Sequence, residues 1–352
     1  MAVVAVTATP LKLSLKNKLG GQLNAYVTGQ DTAGDVVMLA PDGSWYHPDA
    51  GGSTSPVQIN AANVTLPLTG DVTELTIPDF ISAGRIWVAV GELQFFTLVE
   101  PSAVNPDDPS ADVNWGFVEL TNTEKSGIYA NISFVDWVGL LLGMSLTLGS
   151  GEVQTVEGLA KNAVSSICND MKTQAADGQP WDKMCVSDAS DYTDYANKVW
   201  DQYTNQDLVF DTQNAGNTTC RANGDQLTCT NDNRAYARPT VGDIWGCNSG
   251  PFAMTQDDND IHKAVVPRLC AAFQRSTLLL DGGDVQPSSA VGKDTYYKET
   301  PTNHYSRIVH NYLVGGRGYA FAYDDVNPDG ENAAGVVSGP SPQELAITIG
   351  GA

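Results

Sequence analysis

Short strand-like runs separated by turn residues fill the first 150 residues, and this pattern restricts the fold more than any other feature of the sequence. Alternating or β-branched runs predict strands near 35–39, 64–68, 74–77, 85–90 and 94–99, with Gly, Pro, Asp or Asn between them. The stretch LKLSLKNKLGGQLNAYV alternates on both sides of Gly20 and Gly21, which predicts a hairpin. Short strands at this spacing predict a β-sandwich or a barrel.

Helical periodicity replaces the strand pattern after Gly151. Apolar residues three or four apart predict helices over about 156–171, 192–203, 260–275 and 303–313. Pro267 is expected to begin a second part of the third helix, because proline is favoured in a first turn. Strand patterns return at 318–323 and 344–349. The last strands are therefore expected to complete the first sheet system, with the helical region inserted between them.

The six cysteines all lie in this middle block. Their short consecutive gaps suggest pairing in chain order, although six cysteines allow 15 connectivities. The three pairs would be Cys168 with Cys185, Cys220 with Cys229, and Cys247 with Cys270. An even cysteine count, together with Asn-x-Ser/Thr sequons, favours a secreted, extracellular protein. The sequons begin at Asn63, Asn131 and Asn217.

The overall charge restricts the partners of the protein. There are 41 acidic and 19 basic residues, with a formal net charge of -22. Nucleic acid and anionic membrane surfaces are disfavoured, because binding them requires Lys and Arg. No run of about 18 apolar residues exists to span a membrane, and the first residues lack a signal-peptide pattern. A mature, monomeric chain with a neutral partner such as a glycan is expected, although acidity also simply keeps secreted proteins in solution.

Two carboxylates interrupt the stretch Asn114–Gly139, which reads NWGFVELTNTEKSGIYANISFVDWVG. The stretch is otherwise typical of two strands joined by a polar turn, and strand interiors disfavour Asp and Glu. Alternation places Glu119 on one strand face with Trp115, Phe117 and Thr121, a combination typical of sugar-binding surfaces. Alternation places Asp136 on the opposite face of its own strand, where it would not face Glu119. Either a bulge near 134–135 turns it to the polar side, or it is a buried carboxyl.

Two carboxylates facing each other across a groove are the requirement of glycoside hydrolysis. One protonates the leaving oxygen, and the other attacks the sugar or activates a water molecule. A separation of roughly 6.5–9.5 Å implies inversion, and about 5–5.5 Å implies a covalent intermediate. The alternative is that Glu119 and Asp136 are structural acids at strand ends.

Several blocks of the sequence, in order, resemble one family. NPDDPSADVNW, SGIYANISFVDW, PRLCAAFQRSTLLL, NHYSRIVH and GYAFAYDDV are similar to landmarks of glycoside hydrolase family 64, the laminaripentaose-producing β-1,3-glucanases of the thaumatin-like superfamily. The resemblance implies a thaumatin-like β-barrel or sandwich domain formed by 1–150 and 315–352. An inserted mixed α/β domain, 151–314, would carry the disulfides, with Cys247 paired to Cys270, and a wide cleft would separate the domains.

The same resemblance implies a secreted endo-β-1,3-glucanase that inverts configuration and needs no cofactor or metal. Glu119 would be the general acid and Asp136 the general base, with Thr121, Tyr129 and Ser133 contacting the glucan. Tyr129 stands where the family has Trp, and the turn is one residue longer, which bears on product length. The alternative function is a non-catalytic thaumatin-like glucan binder or antifungal protein.

The remaining motifs have simpler interpretations. Residues 324–332 resemble the start of a calcium loop, but they are better explained as a turn because position twelve is not Glu. His304 is interpreted as structural, although it could line the cleft. Asn63 and Asn217 are the glycosylation candidates, because a glycan on Asn131 would obstruct the groove. The aromatics expected in the core are Trp45, Tyr46, Trp87, Trp200 and Trp245.

Overall fold

The computed structural model describes residues 10–174, 191–213 and 216–351. Within these ranges the chain forms eighteen strands in three sheets, together with five α-helices. The prediction of a mainly β protein with added helices is confirmed.

The first sheet has five strands and contains both ends of the described chain. Its order is β11 (Val153–Val156), β10 (Leu142–Leu148), β18 (Pro342–Ile349), β1 (Leu11–Asn17) and β6 (Val72–Ile77). β1 and β18 are parallel, and the other neighbours are antiparallel. The late strand pattern therefore does complete the sheet system that the early strands begin.

The second sheet has eight strands and packs against the first. Its order is β17 (Val337–Gly339), β9 (Gly127–Ser133), β8 (Asn114–Thr123), β7 (Ile81–Val90), β2 (Leu23–Gln30), β3 (Val36–Leu39) and β4 (Trp45–Tyr46), with β5 (Leu66–Leu68) also paired to β2. Alternate residues of both sheets, such as Leu13, Ile347, Val118 and Leu120, form one buried core. This alternation is why the strands read as apolar and polar in turn.

The predicted hairpin around Gly20 and Gly21 is wrong. β1 belongs to the first sheet and β2 to the second, and they do not pair with each other. Both glycines have positive φ, 79° and 72°, which residues with a side chain rarely adopt. They carry the chain from one sheet to the other. Both strands still alternate, because each presents its apolar residues to the same core.

Two other predicted strands do not form. Residues 94–99 and 318–323 make only isolated bridges, between Gln58 and Phe96, Phe96 and Val99, and Ser133 and Tyr319. The first predicted helix begins later than expected, because the residues around Val156 belong to β11.

The loop 91–113, which contains the predicted strand 94–99, covers the outer face of the second sheet. Leu93 and Phe95 there pack on Trp87 and Trp115 in a separate aromatic core.

The helices divide between two cores. α1 (Ala163–Gln174) and α5 (His304–Tyr312) bury their apolar faces in the core of the two sheets. α2 (Thr193–Asn205), α3 (Val241–Gly246) and α4 (Asp260–Arg275) form a second core with the third sheet. That sheet has the order β15 (Tyr236–Ala237), β14 (Gln226–Cys229), β13 (Asn217–Asn223), β12 (Leu208–Asp211) and β16 (Val285–Gln286). The domain boundaries at 150/151 and 314/315 stay a prediction.

Pro267 does not begin a separate helix. α4 runs through it without a break, although proline removes one helical hydrogen bond and costs about 3 kcal/mol in a helix interior. The cost is offset because Val265, Val266 and Leu269 are fully buried around it.

Two of the three predicted disulfides are confirmed. Cys220 pairs with Cys229 directly across β13 and β14, and Cys247 at the end of α3 pairs with Cys270 in α4. Cys185 lies outside the described residues, so its pairing with Cys168 stays a prediction. Among the helices of the described ranges, none combines the length and the apolarity needed to cross a bilayer.

Candidate active site

Glu119 lies in the middle of the second sheet, on the face turned away from the main core. β8 places it opposite Arg85 of β7 and opposite Asn131 of β9. Residues opposite each other on neighbouring strands share a face, so these three side chains form a row across the sheet. The predicted alternation is confirmed: Val118 and Leu120 are buried in the main core, whereas about 31% of the Glu119 side chain is exposed.

The carboxylate of Glu119 is held by both neighbours. Arg85 Nε donates to its Oε1 atom at 3.3 Å, and Asn131 Nδ2 donates to its Oε2 atom at 3.3 Å. Arg85 also donates through Nη1 to Glu100, so one guanidinium is shared by two carboxylates. Desolvation raises the pKa of Glu100; the nearby Arg85 opposes this rise, and Glu119 adds to it.

An aromatic cluster lies beside this row on the same face of the sheet. The rings of Trp87, Trp115 and Phe117 lie 5.0–6.1 Å apart, and the Arg85 guanidinium lies 5.0 Å from the centre of the Phe117 ring. A cation over an aromatic face is attracted by the ring quadrupole. These contacts fix the position of Arg85 and hence the direction of the Glu119 carboxylate.

Asp136 lies outside any strand, so neither sequence-based explanation of its position applies. β9 ends at Ser133, and Asp136 has a φ of 70° in the turn that follows. The chain then returns over β8, where Trp137 packs 4.4 Å from the Trp115 ring. The turn therefore lies on the same face of the sheet as Glu119, and the Asp136 side chain is exposed rather than buried in the core.

The surroundings of Asp136 disfavour its charge. Water reaches the side chain, but nearby protein atoms replace much of the surrounding solvent, and this desolvation raises the pKa of its carboxyl. Asp136 lines a cavity of about 120 Å³ that also contacts Asn303, Tyr305 and Trp245. The Tyr305 hydroxyl donates to the Phe134 carbonyl oxygen, which ties α5 to the turn. Trp245, expected only as a core residue, is half-buried and lines this cavity.

The three residues expected to contact a ligand differ in exposure. Tyr129 is 51% exposed and lies across from Thr121, which is half-buried. Ser133 is opposite Phe117 and only 6% exposed. All three share the Glu119 face of β8 and β9, as alternation predicted. A ligand lying on this face would meet Tyr129 and Thr121 first.

Arg85 and Glu100 were not identified from the sequence. Arg85 stands in the apolar run of β7 just as Glu119 stands in that of β8, and the same argument applied to it would have found it. Glu100 had no such signal, because it belongs to the loop that covers the sheet. His304 begins α5, where its Nδ1 atom is 3.4 Å from Arg307 Nη2.

The arrangement provides two carboxyl groups on one face, one tied to a cation and one partly desolvated. Such a pair suits acid–base chemistry on a neutral substrate. Within the three described ranges, no group of three His, Cys, Asp or Glu side chains is arranged to hold a metal ion.

A family model described as beta-1,3-glucanase, glycoside hydrolase family 64, matches residues 9–349. A curated relative, the glucan endo-1,3-beta-glucosidase of Arthrobacter sp. (strain YCWD3), is 25% identical over 353 residues. The alignment covers 92% of this chain but only 62% of that protein, so the chain spans less than two thirds of the relative's length.

Two solved structures resemble the whole chain. The first is a laminaripentaose-producing beta-1,3-glucanase in complex with laminaritetraose, with a TM-score of 0.81, 25% identity and coverage of 97% of this chain and 98% of that one. The second is a beta-1,3-glucanase domain from Clostridium beijerinckii, with a TM-score of 0.75 and the same coverage at 17% identity. At that identity the second likeness concerns the fold alone.

Proposed function

Because the chain belongs to glycoside hydrolase family 64, whose model matches residues 9–349, we propose that it is an endo-β-1,3-glucanase. The observation that carries the assignment to particular residues is the position of Glu119 and Asp136. Both lie over the outer face of β8 and β9, Glu119 on the strand and Asp136 in the turn that returns across it.

In the proposed reaction Glu119 is the general acid and Asp136 the general base. Glu119 gives its proton to the oxygen between two glucose units as that bond breaks. Asp136 takes a proton from a water molecule that attacks the anomeric carbon from the other side, so the configuration is inverted. This mechanism requires a carboxyl separation of roughly 6.5–9.5 Å, which leaves room for the water.

Arg85 and Glu100 have supporting roles in this proposal. Arg85 and Asn131 each hold one oxygen of Glu119, which keeps its carboxyl pointing away from the sheet. Glu100 accepts from the same guanidinium, so the charge of Arg85 is shared between two carboxylates.

The substrate is proposed to be a neutral β-1,3-glucan, such as laminarin or a cell-wall glucan, outside the cell. A neutral polymer is not repelled by a net charge of -22. The exposed Tyr129 ring offers a surface for stacking on glucose, with Thr121 beside it for a hydroxyl contact. Products of the laminaripentaose type, a thaumatin-like domain arrangement and a wide cleft are part of the same proposal.

The test is hydrolysis of laminarin by Glu119→Gln and Asp136→Asn. Each should lower the rate by at least about a hundredfold, because general acid–base catalysis contributes typically 10²–10⁴-fold. Glu124→Gln, in the exposed turn of the same hairpin, is the matched control and should retain activity. Proton NMR of the fresh products should show the α-anomer.

Normal turnover by either variant would contradict the assigned roles. Initial release of the β-anomer would contradict inversion while leaving the glucanase activity in place. If the unaltered protein binds laminarin and releases no oligosaccharide, the non-catalytic binder is the correct function.

A further inference from the structure

A second concave site lies along the later residues of α5. It encloses about 780 Å³, within the roughly 300–1,000 Å³ of typical small-molecule sites. Four segments line it: residues 293–298, the α5 residues Arg307, His310 and Asn311, residues 315–317, and residues 330–333. This second site is called the basic pocket below. The cavity beside Asp136 is lined by Asn303 and Tyr305, and it shares no lining residue with the basic pocket.

Positive charge is concentrated in the basic pocket. Lys293, Lys298, Arg307 and Arg317 line it, which is four of the nineteen lysines and arginines in a chain of net charge -22. In the part of the chain that the structure describes, none of the four side chains forms an ion pair with a carboxylate, although the backbone N–H of Lys293 donates to Glu331 at 3.0 Å. Asp294 and Glu331 also line the pocket, so its four cations outnumber its two carboxylates and part of the positive charge is uncompensated.

The two arginines are held in place by neutral groups. Arg307 Nη2 donates to the Gln174 side chain at 3.1 Å, and Arg317 Nη2 donates to the Thr155 carbonyl oxygen at 3.1 Å. These contacts position the guanidinium groups without neutralising them. The two lysines are exposed and remain available to a ligand.

The His310 ring forms part of the wall of the pocket. The His310 ring lies between two acceptors: Nδ1 is 3.1 Å from the Gly316 carbonyl oxygen, and Nε2 is 2.8 Å from an oxygen of Asp324. The Asp324 charge is already shared with Arg275, which donates to its other oxygen at 2.8 Å. His310 therefore links the wall of the pocket to the buried ion pair of Asp324 and Arg275.

From this geometry we propose that the basic pocket binds an anionic saccharide, one whose sugar or polyol units carry carboxylate or phosphate groups. The unpaired cations recognise the charged groups. Asp294 and Glu331 accept hydrogen bonds from hydroxyls, and Asn311 both accepts and donates them. A long nucleic acid is disfavoured, because the net charge of the protein repels an extended polyanion. The site would attach the protein to acidic polymers that lie beside its neutral substrate.

The experiment is titration calorimetry with trigalacturonate as the carboxylate probe, glucose 6-phosphate as the phosphate probe and laminaritriose as the neutral probe. One or both anionic probes should bind at low salt, and raising the salt should weaken the binding. Lys293→Gln/Lys298→Gln should weaken it by about tenfold or more, from the loss of two charge contacts. The matched control is Lys18→Gln/Lys198→Gln, which removes two exposed lysines outside the pocket and should bind normally.

Binding of only one anionic probe supports the proposal and identifies the charged group. Three results would overturn it: neither anion binds, laminaritriose competes equally with them, or the control double variant weakens binding as much as the pocket variant. Laminarin hydrolysis by Lys293→Gln/Lys298→Gln should be unchanged, which separates this site from the proposed active site.

Discussion

At the scale of single residues, Asp136 combines exposure with an environment that disfavours its charge. Its pKa is raised by desolvation, so the ionised form is disfavoured in the folded state. A base must be ionised to work, and activity should therefore rise with pH through this raised pKa. We expect the acidic limb of the kcat/KM profile on laminarin to lie above the ordinary aspartate value of about 3.9.

The same shift has a consequence for stability. Because the pKa of Asp136 is higher in the folded than in the unfolded chain, the folded state loses stability as pH rises through that value. Asp136→Asn should therefore be at least as stable as the unaltered protein at pH 7, while it loses activity. Urea unfolding at pH 3 and pH 7 measures this. A variant that is less stable at pH 7 would show that the carboxylate has a structural role.

The residue scale also shows what the sequence can reveal. Glu119 was predicted because an acid in a strand interior needs an explanation, and its neighbours on the same face followed from alternation. Arg85 belongs to the same kind of pattern and was missed. Its contact with Glu119 became visible only when register placed the two residues opposite each other. Register depends on which strands pair, and a single strand contains no information about its neighbour across the sheet.

At the scale of elements, the turn carrying Asp136 is held by a close backbone approach at Gly139. Leu140 N donates to the Trp115 carbonyl oxygen at 3.2 Å, and a Cβ on Gly139 would lie 1.7 Å from that oxygen. Gly139→Ala should force the turn away from β8 and lower the free energy of unfolding by about 1–3 kcal/mol, as overpacking does. Laminarin hydrolysis should fall with it, because Asp136 moves.

The matched control for this change is Gly70→Ala. Gly70 is exposed, and the nearest atom to an added Cβ would be 4.0 Å away. Denaturant unfolding of both variants checks the prediction. Equal stability of the two would mean that the turn adapts without cost, and that its position does not depend on Gly139.

Prediction of elements succeeded where the pattern was local. The β8–β9 hairpin was found because two strand patterns flank one polar turn, and the turn is short enough to join neighbours. The same reasoning failed at Gly20 and Gly21, where the two strands enter different sheets. Both arrangements bury the same leucines, so hydrophobic pattern alone does not distinguish a hairpin from a connection between packed sheets.

At the scale of the whole molecule, a buried charge cluster joins the two cores. Arg275 belongs to α4 of the second core and His310 to α5 of the first, and both contact Asp324 between them. Burial alone would raise the pKa of Asp324, but His310 and Arg275 outweigh it and lower the value. Asp324→Asn should cost about 3–5 kcal/mol, because it leaves a buried cation without its partner.

The pH dependence of this cluster has a defined sign. Because the pKa of Asp324 is lowered by folding, its contribution is present above the unfolded value of about 3.9 and is lost as pH falls through the lower folded value. Urea titrations should therefore show a gap between the unaltered protein and Asp324→Asn at pH 6 that narrows in acid. Asp329→Asn, an exposed neighbour, is the control. A constant gap at all pH values would assign the loss to packing.

The parallel pairing of β1 with β18 has a consequence for biosynthesis. Lys12 pairs with Glu344 and Asn17 with Ile349, so the partner strand of β1 lies more than 300 residues later in the chain. On the ribosome, β1 emerges before the other described strands, and β18 emerges after all of them. At roughly 5–20 residues per second, the edge of β1 that β18 later covers stays unpaired for tens of seconds. The first sheet is then completed last, and a nascent chain stopped before residue 342 would expose a strand edge suited to aggregation.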